Sequence, residues 1–178
     1  SATVFYADCL EREGEPMEYL VNRGVKAETI AKWRIGFAPG PPKGGWREVK
    51  ENLEAKGFKK DELLKAGLIK TTEGGKEPFD VFRDRIMFPM SEPSGKVVAF
   101  SGRILHPDDK APKYVNSPDT ELYKKSELLY GYDKAVKQAR QVAELSLKSA
   151  KAFWDSIDDL GRLHDLCKQP AVENEEMW

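Results

Sequence analysis

A change of hydrophobic period near Leu68 constrains this chain more than any other feature of its sequence. Before that point apolar residues recur at helical spacing between glycines and prolines. After it, apolar and polar residues alternate, through Leu68-Ile69-Lys70-Thr71 and again through Arg85-Ile86-Met87-Phe88-Pro89-Met90. Alternation sends successive side chains to opposite faces, so these runs are strands. Pro93-Ser94-Gly95 is a turn signal, and it predicts that Arg85–Met90 and Lys96–Leu105 pair as an antiparallel hairpin. Tyr114-Val115 reads as another short strand.

The helical part is punctuated. Val4–Arg12 forms one helix and a second follows Pro16, with Gly24 placed to cap it; Ala27–Trp33 forms a third. Arg34–Pro39 is extended, Gly40–Gly45 is a loop, and Trp46–Lys56 returns to helix until Gly57. Asp61–Ala66 is one more short helix, closed by Gly67. Beyond the strands, Ser126–Arg140 reads as helix. An amphipathic pattern then runs from Val142 through Leu145, Phe153, Ile157 and Leu160 to Cys167, weakened at Ser146, interrupted at Gly161 and stopped by Pro170. The fold class is therefore α+β: a central antiparallel sheet with flanking helices, plus a C-terminal amphipathic helix.

At 178 residues the chain has room for one well-packed domain and an appendage. No apolar run approaches the roughly 18 residues of a membrane span, and the N-terminus has no signal-peptide pattern, so a soluble cytoplasmic protein with no membrane partner is expected. Cys9 and Cys167 are far apart and lack zinc-ligand spacing, which makes them idle thiols. The net charge of −1 conceals two parts: residues 1–140 carry 25 basic against 22 acidic side chains, and residues 141–178 carry 4 against 8. Nucleic-acid binding cannot be argued from overall charge and must rest on where bases cluster. The division expected is 1–140 as the folded domain and 141–178 as a helical segment with an acidic tail.

Seven blocks carry a resemblance. They are Tyr19-Leu-Val-Asn-Arg23-Gly24, Arg34-Ile-Gly-Phe-Ala-Pro39, Ala66-Gly-Leu-Ile69, Phe79-Asp-Val-Phe-Arg83-Asp-Arg85-Ile-Met-Phe-Pro89, Gly95-Lys-Val-Val-Ala-Phe-Ser-Gly-Arg103, Pro112-Lys-Tyr-Val-Asn-Ser-Pro118 and Leu129-Tyr-Gly131. In that order they resemble bacterial replicative DNA primases, in the N-terminal subdomain of the RNA-polymerase core that precedes the topoisomerase-primase (TOPRIM) fold. Val81 and Ser101 are small departures, standing where the family usually has Arg and Gly. A large departure follows Gly131. The family's Glu-Gly motif and later acidic residues, which hold its divalent metals, have no match in 141–178, where Asp158-Asp159 sit in a helical pattern. The resemblance therefore implies a chain that binds no cofactor itself and is inactive alone, with Mg²⁺ or Mn²⁺ expected only in the missing catalytic fold, since phosphoryl transfer needs them.

The resemblance also implies partners and sites. Arg103, Lys113, Tyr114 and Asn116 match positions that line a shallow basic groove guiding single-stranded DNA template and the RNA–DNA hybrid, and Arg23 matches a further member. The chemistry is apt: Arg and Lys hold phosphates, Tyr offers a stacking face, and Asn meets phosphate or a base edge. Arg83 and Arg85 alternate onto one face, suited either to phosphate or to a structural pair with Asp84. His106 and His164 lack partners at ligand spacing and read as surface residues; Trp33, Trp46, Phe82 and Phe88 read as core. The function expected is a template-guiding module in primer synthesis. The contrasting reading is an interaction or regulatory module whose C-terminal helix, with Phe153, Trp154 and Ile157 opposite Asp155, Asp158 and Asp159, binds a TOPRIM domain or another protein.

Overall fold

The computed structural model describes residues 1–167 except 42, 73–76 and 108–110, with side chains described through residue 152. Three helices lead the chain, α1 (Ala2–Arg12), α2 (Gly14–Asn22) and α3 (Ala27–Trp33), followed by strand β1 (Gly36–Ala38), then α4 (Glu48–Ala55) and α5 (Lys60–Lys65). Strands β2 (Ile69–Lys70), β3 (Phe79–Asp80), β4 (Arg85–Ser91), β5 (Val97–Ile104) and β6 (Tyr114–Asn116) come next, and α6 (Tyr132–Cys167) ends the described chain.

The architecture is α+β, as the change of period requires. A four-stranded antiparallel sheet runs in the order β1-β4-β5-β6. The hairpin of β4 and β5 is its centre, with Met87 opposite Gly102 and a bulge between Met90 and Ser91. The pair β2–β3 forms a separate two-stranded ribbon, so the alternating run at Leu68 does not join the main sheet.

Alternation gives the sheet two unlike faces. Met87 and Phe100 point into a core built from Phe5, Tyr6 and Cys9 of α1, Val49 and Leu53 of α4, and Leu63 of α5. Tyr6 meets Phe100 edge to face at 5.3 Å between ring centres. On the other face Ile86 is fully buried beneath Leu10, Leu20 and Ile30, which close that end only. Farther along, Arg103, Tyr114, Ser101 and Asn116 share this second face by register, Arg103 opposite Tyr114 and Ser101 opposite Asn116. Gly36 lets α1 lie directly on β1: a Cβ there would stand 2.6 Å from the backbone carbon of Tyr6.

Two helical expectations change. Residues 126–131 are turns and irregular chain rather than the start of a helix, which begins at Tyr132. Tyr130 is held by stacking on Trp33, with ring centres 5.2 Å apart, and Gly131 takes φ +77°, which ends any helical path. Conversely, α6 is continuous through Ser146 and Gly161, because one glycine costs only about 1 kcal/mol in an otherwise propagating helix. Packing divides the chain into two units, Ser1–Lys134 and Ala135–Trp178. In the second, Val142, Leu145 and Leu147 are exposed. The expected stripe from Phe153 onward, the side chains of His164 and Cys167, the stop at Pro170 and the acidic tail lie outside the described residues. No described helix is long and apolar enough to cross a membrane.

Candidate nucleic-acid interface

The open part of the second sheet face is organised around Arg103 near the end of β5. Its Nη1 donates to the hydroxyl of Tyr114 at 2.9 Å, across the β5–β6 ladder that sets the two residues opposite each other. The guanidinium also lies 5.6 Å from the centre of the Tyr114 ring and 5.5 Å from that of Tyr19, a residue of α2. Tyr114, and less strongly Tyr19, favour the charged form of Arg103. Arg23 stacks on the same Tyr19 ring at 5.2 Å. Arg23, Arg103 and Lys113 thus line one groove of about 420 Å³ together with Tyr19. Three cations on one concave surface, with the Tyr19 ring between two of them, have the charge and the flat face to which an anionic, ring-bearing polymer could bind.

Asn116 lies two residues along β6 and faces a neighbouring groove of about 490 Å³, lined also by Tyr114, Ser101, Lys125, Phe88 and Tyr130. Tyr114 belongs to this groove and supplies the hydrogen bond that holds Arg103 at the edge of the other. Lys125 was missed in sequence because it stands just before the segment read as helix, where a lysine signals only a solvated surface.

Arg83 and Arg85 differ from the rest. Both line a cavity of about 560 Å³, to which Trp46, Ile104, His106 and Pro112 also contribute. Arg85, read in sequence as suited either to phosphate or to a pair with Asp84, is 6% exposed, and its guanidinium donates to the carbonyls of Gly102 at 3.2 Å and Pro112 at 3.0 Å. Burial lowers its pKa, and Lys113, whose carbonyl lies 3.5 Å away, is braced from behind. Of the two roles open to Arg85 in sequence, its geometry is the structural one, with backbone carbonyls rather than Asp84 as partners: a strand residue pointing into the sheet interior finds backbone acceptors before it finds solvent. Arg83 donates to the carbonyl of Asp80 and sits over the rings of Trp46 and Phe79, at 4.6 and 4.8 Å.

Trp46 was read as core but is 54% exposed, because the Arg83 guanidinium and the edge of Phe79 support it at the surface. Phe82 is core, as read. Asp84 does not pair with its flanking arginines. Held at φ +52°, it accepts from the ring Nδ1 of His106 at 2.9 Å, while His106 Nε2 meets Glu15 at 2.8 Å. Both partners are far from His106 in sequence, so spacing gave no sign of them. Glu15, then Asp84, raise the His106 pKa, and Lys43 completes the cluster on Glu15.

A pair of catalytic metals needs several converging carboxylates, and among the described residues no group of three His, Cys, Asp or Glu side chains is arranged to hold a metal ion. No chemical step through a metal is derived from these residues.

A family model described as the DNA primase catalytic core, N-terminal domain, matches residues 5–136, and this chain belongs to that family. Among curated relatives, the chain is 43% identical over 122 residues to the DNA primase of Deinococcus radiodurans and 38% identical over 128 residues to that of Clostridium acetobutylicum. These matches cover 68% and 72% of this chain but 20% of either relative, so the chain spans about a fifth of their length. The RNA polymerase domain of the Mycobacterium tuberculosis primase superposes with a TM-score of 0.66 at 39% identity, over 74% of this chain and 42% of that one. The Escherichia coli primase catalytic core gives 0.66 at 35%, over 76% and 42%. A primase catalytic domain solved bound to single-stranded DNA gives 0.65 at 36%, over 76% and 41%.

Proposed function

We propose that this chain is the template-guiding module of a bacterial-type primase, holding single-stranded DNA and the short RNA–DNA hybrid during primer synthesis. The observation that carries the reading is the convergence of Arg23, Arg103 and Lys113 on one groove, with Tyr114 fixing Arg103 at its edge. Those side chains come from the residue that follows α2, from β5 and from the approach to β6, and nothing in the core requires three cations at one surface. That a related primase domain has been solved with single-stranded DNA, and another with double-stranded DNA, supports the same ligand class here. Nucleotidyl transfer is assigned to a metal-binding fold outside this chain, which would supply Mg²⁺ or Mn²⁺. The family match ends at residue 136.

Titration of fluorescent single-stranded DNA at two salt concentrations tests the proposal. Binding should be weak and fall with salt, because only three or four phosphates can be neutralised. Arg103→Ala and Lys113→Ala should each weaken it by about fivefold to tenfold, in keeping with loss of one charge-assisted contact. No binding, or binding indifferent to both substitutions, would overturn the reading. Capture of a protein through α6 with no DNA affinity would place the chain in the interaction class instead.

A further inference from the structure

The Tyr19 ring is shared by two cations that come from different elements. Arg23 approaches it from the end of its own helix, and Arg103 from β5, at 5.2 and 5.5 Å from its centre. The Tyr19 hydroxyl is buried, as is Nε of Arg103, and neither has a hydrogen-bond partner among the described residues. The hydroxyl favours the charged form of Arg103 only weakly, well behind the Tyr114 hydrogen bond, and makes no hydrogen bond of normal geometry, so that oxygen alone does not explain the placement. The ring does. An arginine on a four-bond stem loses rotamer freedom when it binds, and a flat wall that removes those rotamers beforehand lowers that cost. Arg103 has such walls at two rings, Tyr19 and Tyr114, while the hydrogen bond to Tyr114 sets its rotation.

We propose that Tyr19 is a positioning residue for template binding: its ring presets the Arg103 guanidinium for contact with a template phosphate. The proposal rests on the template-groove reading and adds a residue that need not touch DNA. Tyr19 acts through Arg103, so its removal must lose what Arg103 supplies and nothing more.

The test is a double-mutant cycle on the whole chain, using oligothymidylate as probe over a range of salt. Tyr19→Leu and Tyr19→Met, the second in case the first does not fold, should weaken binding by about fivefold. They should also flatten the dependence of log affinity on log salt by up to about 0.7, the weight of one single-strand phosphate contact. Tyr19→Phe should restore both affinity and salt slope, with melting temperature at or above that of the parent. In an Arg103→Ala background the Tyr19 substitutions should add little further loss. Tyr19→Leu or Tyr19→Met binding like the parent, losses that add fully to those of Arg103→Ala, or Tyr19→Phe as weak as Tyr19→Met would each overturn the proposal. If Arg103→Ala itself leaves binding unchanged, the groove reading fails, and the Tyr19 proposal fails with it.

Discussion

His106 ties together three parts of the chain that carry the candidate site. Its ring reaches Glu15 at the start of α2, the helix that carries Tyr19 and is capped by Arg23, and Asp84 between Arg83 and Arg85, while His106 itself follows β5, the strand of Arg103. Two carboxylates hold its pKa above the ordinary 6.5. A histidine stabilised in its charged form contributes to folding below pH 6.5, and the contribution fades as pH rises through the elevated native value. The melting temperature of the parent should therefore exceed that of His106→Gln most at pH 6, with the gap narrowing above pH 6.5; a gap that widens toward alkaline pH would contradict the geometry. Asp80 has the opposite burden. Only 1% exposed, it accepts the Val49 and Lys50 backbone N–H groups at the start of α4, yet burial raises its pKa from 3.8 to about 6. The folded state then binds a proton more tightly than the unfolded chain, so this residue's contribution is fullest below pH 3.8 and is lost as pH rises through 6. The stability difference between parent and Asp80→Asn should fall across that window by up to about 3 kcal/mol, measured by denaturant titration at several pH values. A flat difference would show that the two backbone donors offset burial completely.

At the scale of elements, the sheet depends on places where a side chain cannot fit. A methyl group on Gly36 would collide with the α1 backbone, and one on Gly102 would stand 2.8 Å from the Phe82 ring and 3.0 Å from Arg85 Cδ. Gly36→Ala should cost about 3 kcal/mol or more and Gly102→Ala about 1–3 kcal/mol in chemical denaturation, since backbone yields less readily than a side chain. The hairpin, the extended Gly36–Ala38 and the short helices were legible in sequence because local signals determine them: alternation, a Pro-Ser-Gly turn, glycine caps. The segment 126–131 was not. Its residues favour helix locally, but Trp33 stacks on Tyr130 from nearly a hundred residues earlier, and no window of sequence contains that contact. The exposure of Trp46 is a similar case, since the cation beneath it arrives from the other end of the β2–β3 ribbon.

At the scale of the whole chain, a DNA primase N-terminal domain occupies residues 5–136, and α6 continues beyond it. Motif order led to Arg23, Arg103, Lys113 and Tyr114, and the fold brings three of them to one groove and Tyr114 onto Arg103. It could not reveal that Arg85 turns inward or that Tyr19 stands between two arginines, because both depend on which way a side chain leaves its element. The central claim is that single-stranded DNA lies on the open sheet face beside α2. Amide and aromatic NMR shifts recorded during titration with oligothymidylate test it most directly. The account predicts perturbations concentrated at Tyr19, Arg23, Arg103, Lys113 and Tyr114, fading together as salt is raised. Shifts that instead cluster on the α1–α3 surface around Val4 and Ala31, or along residues 140–152 of α6, would contradict it.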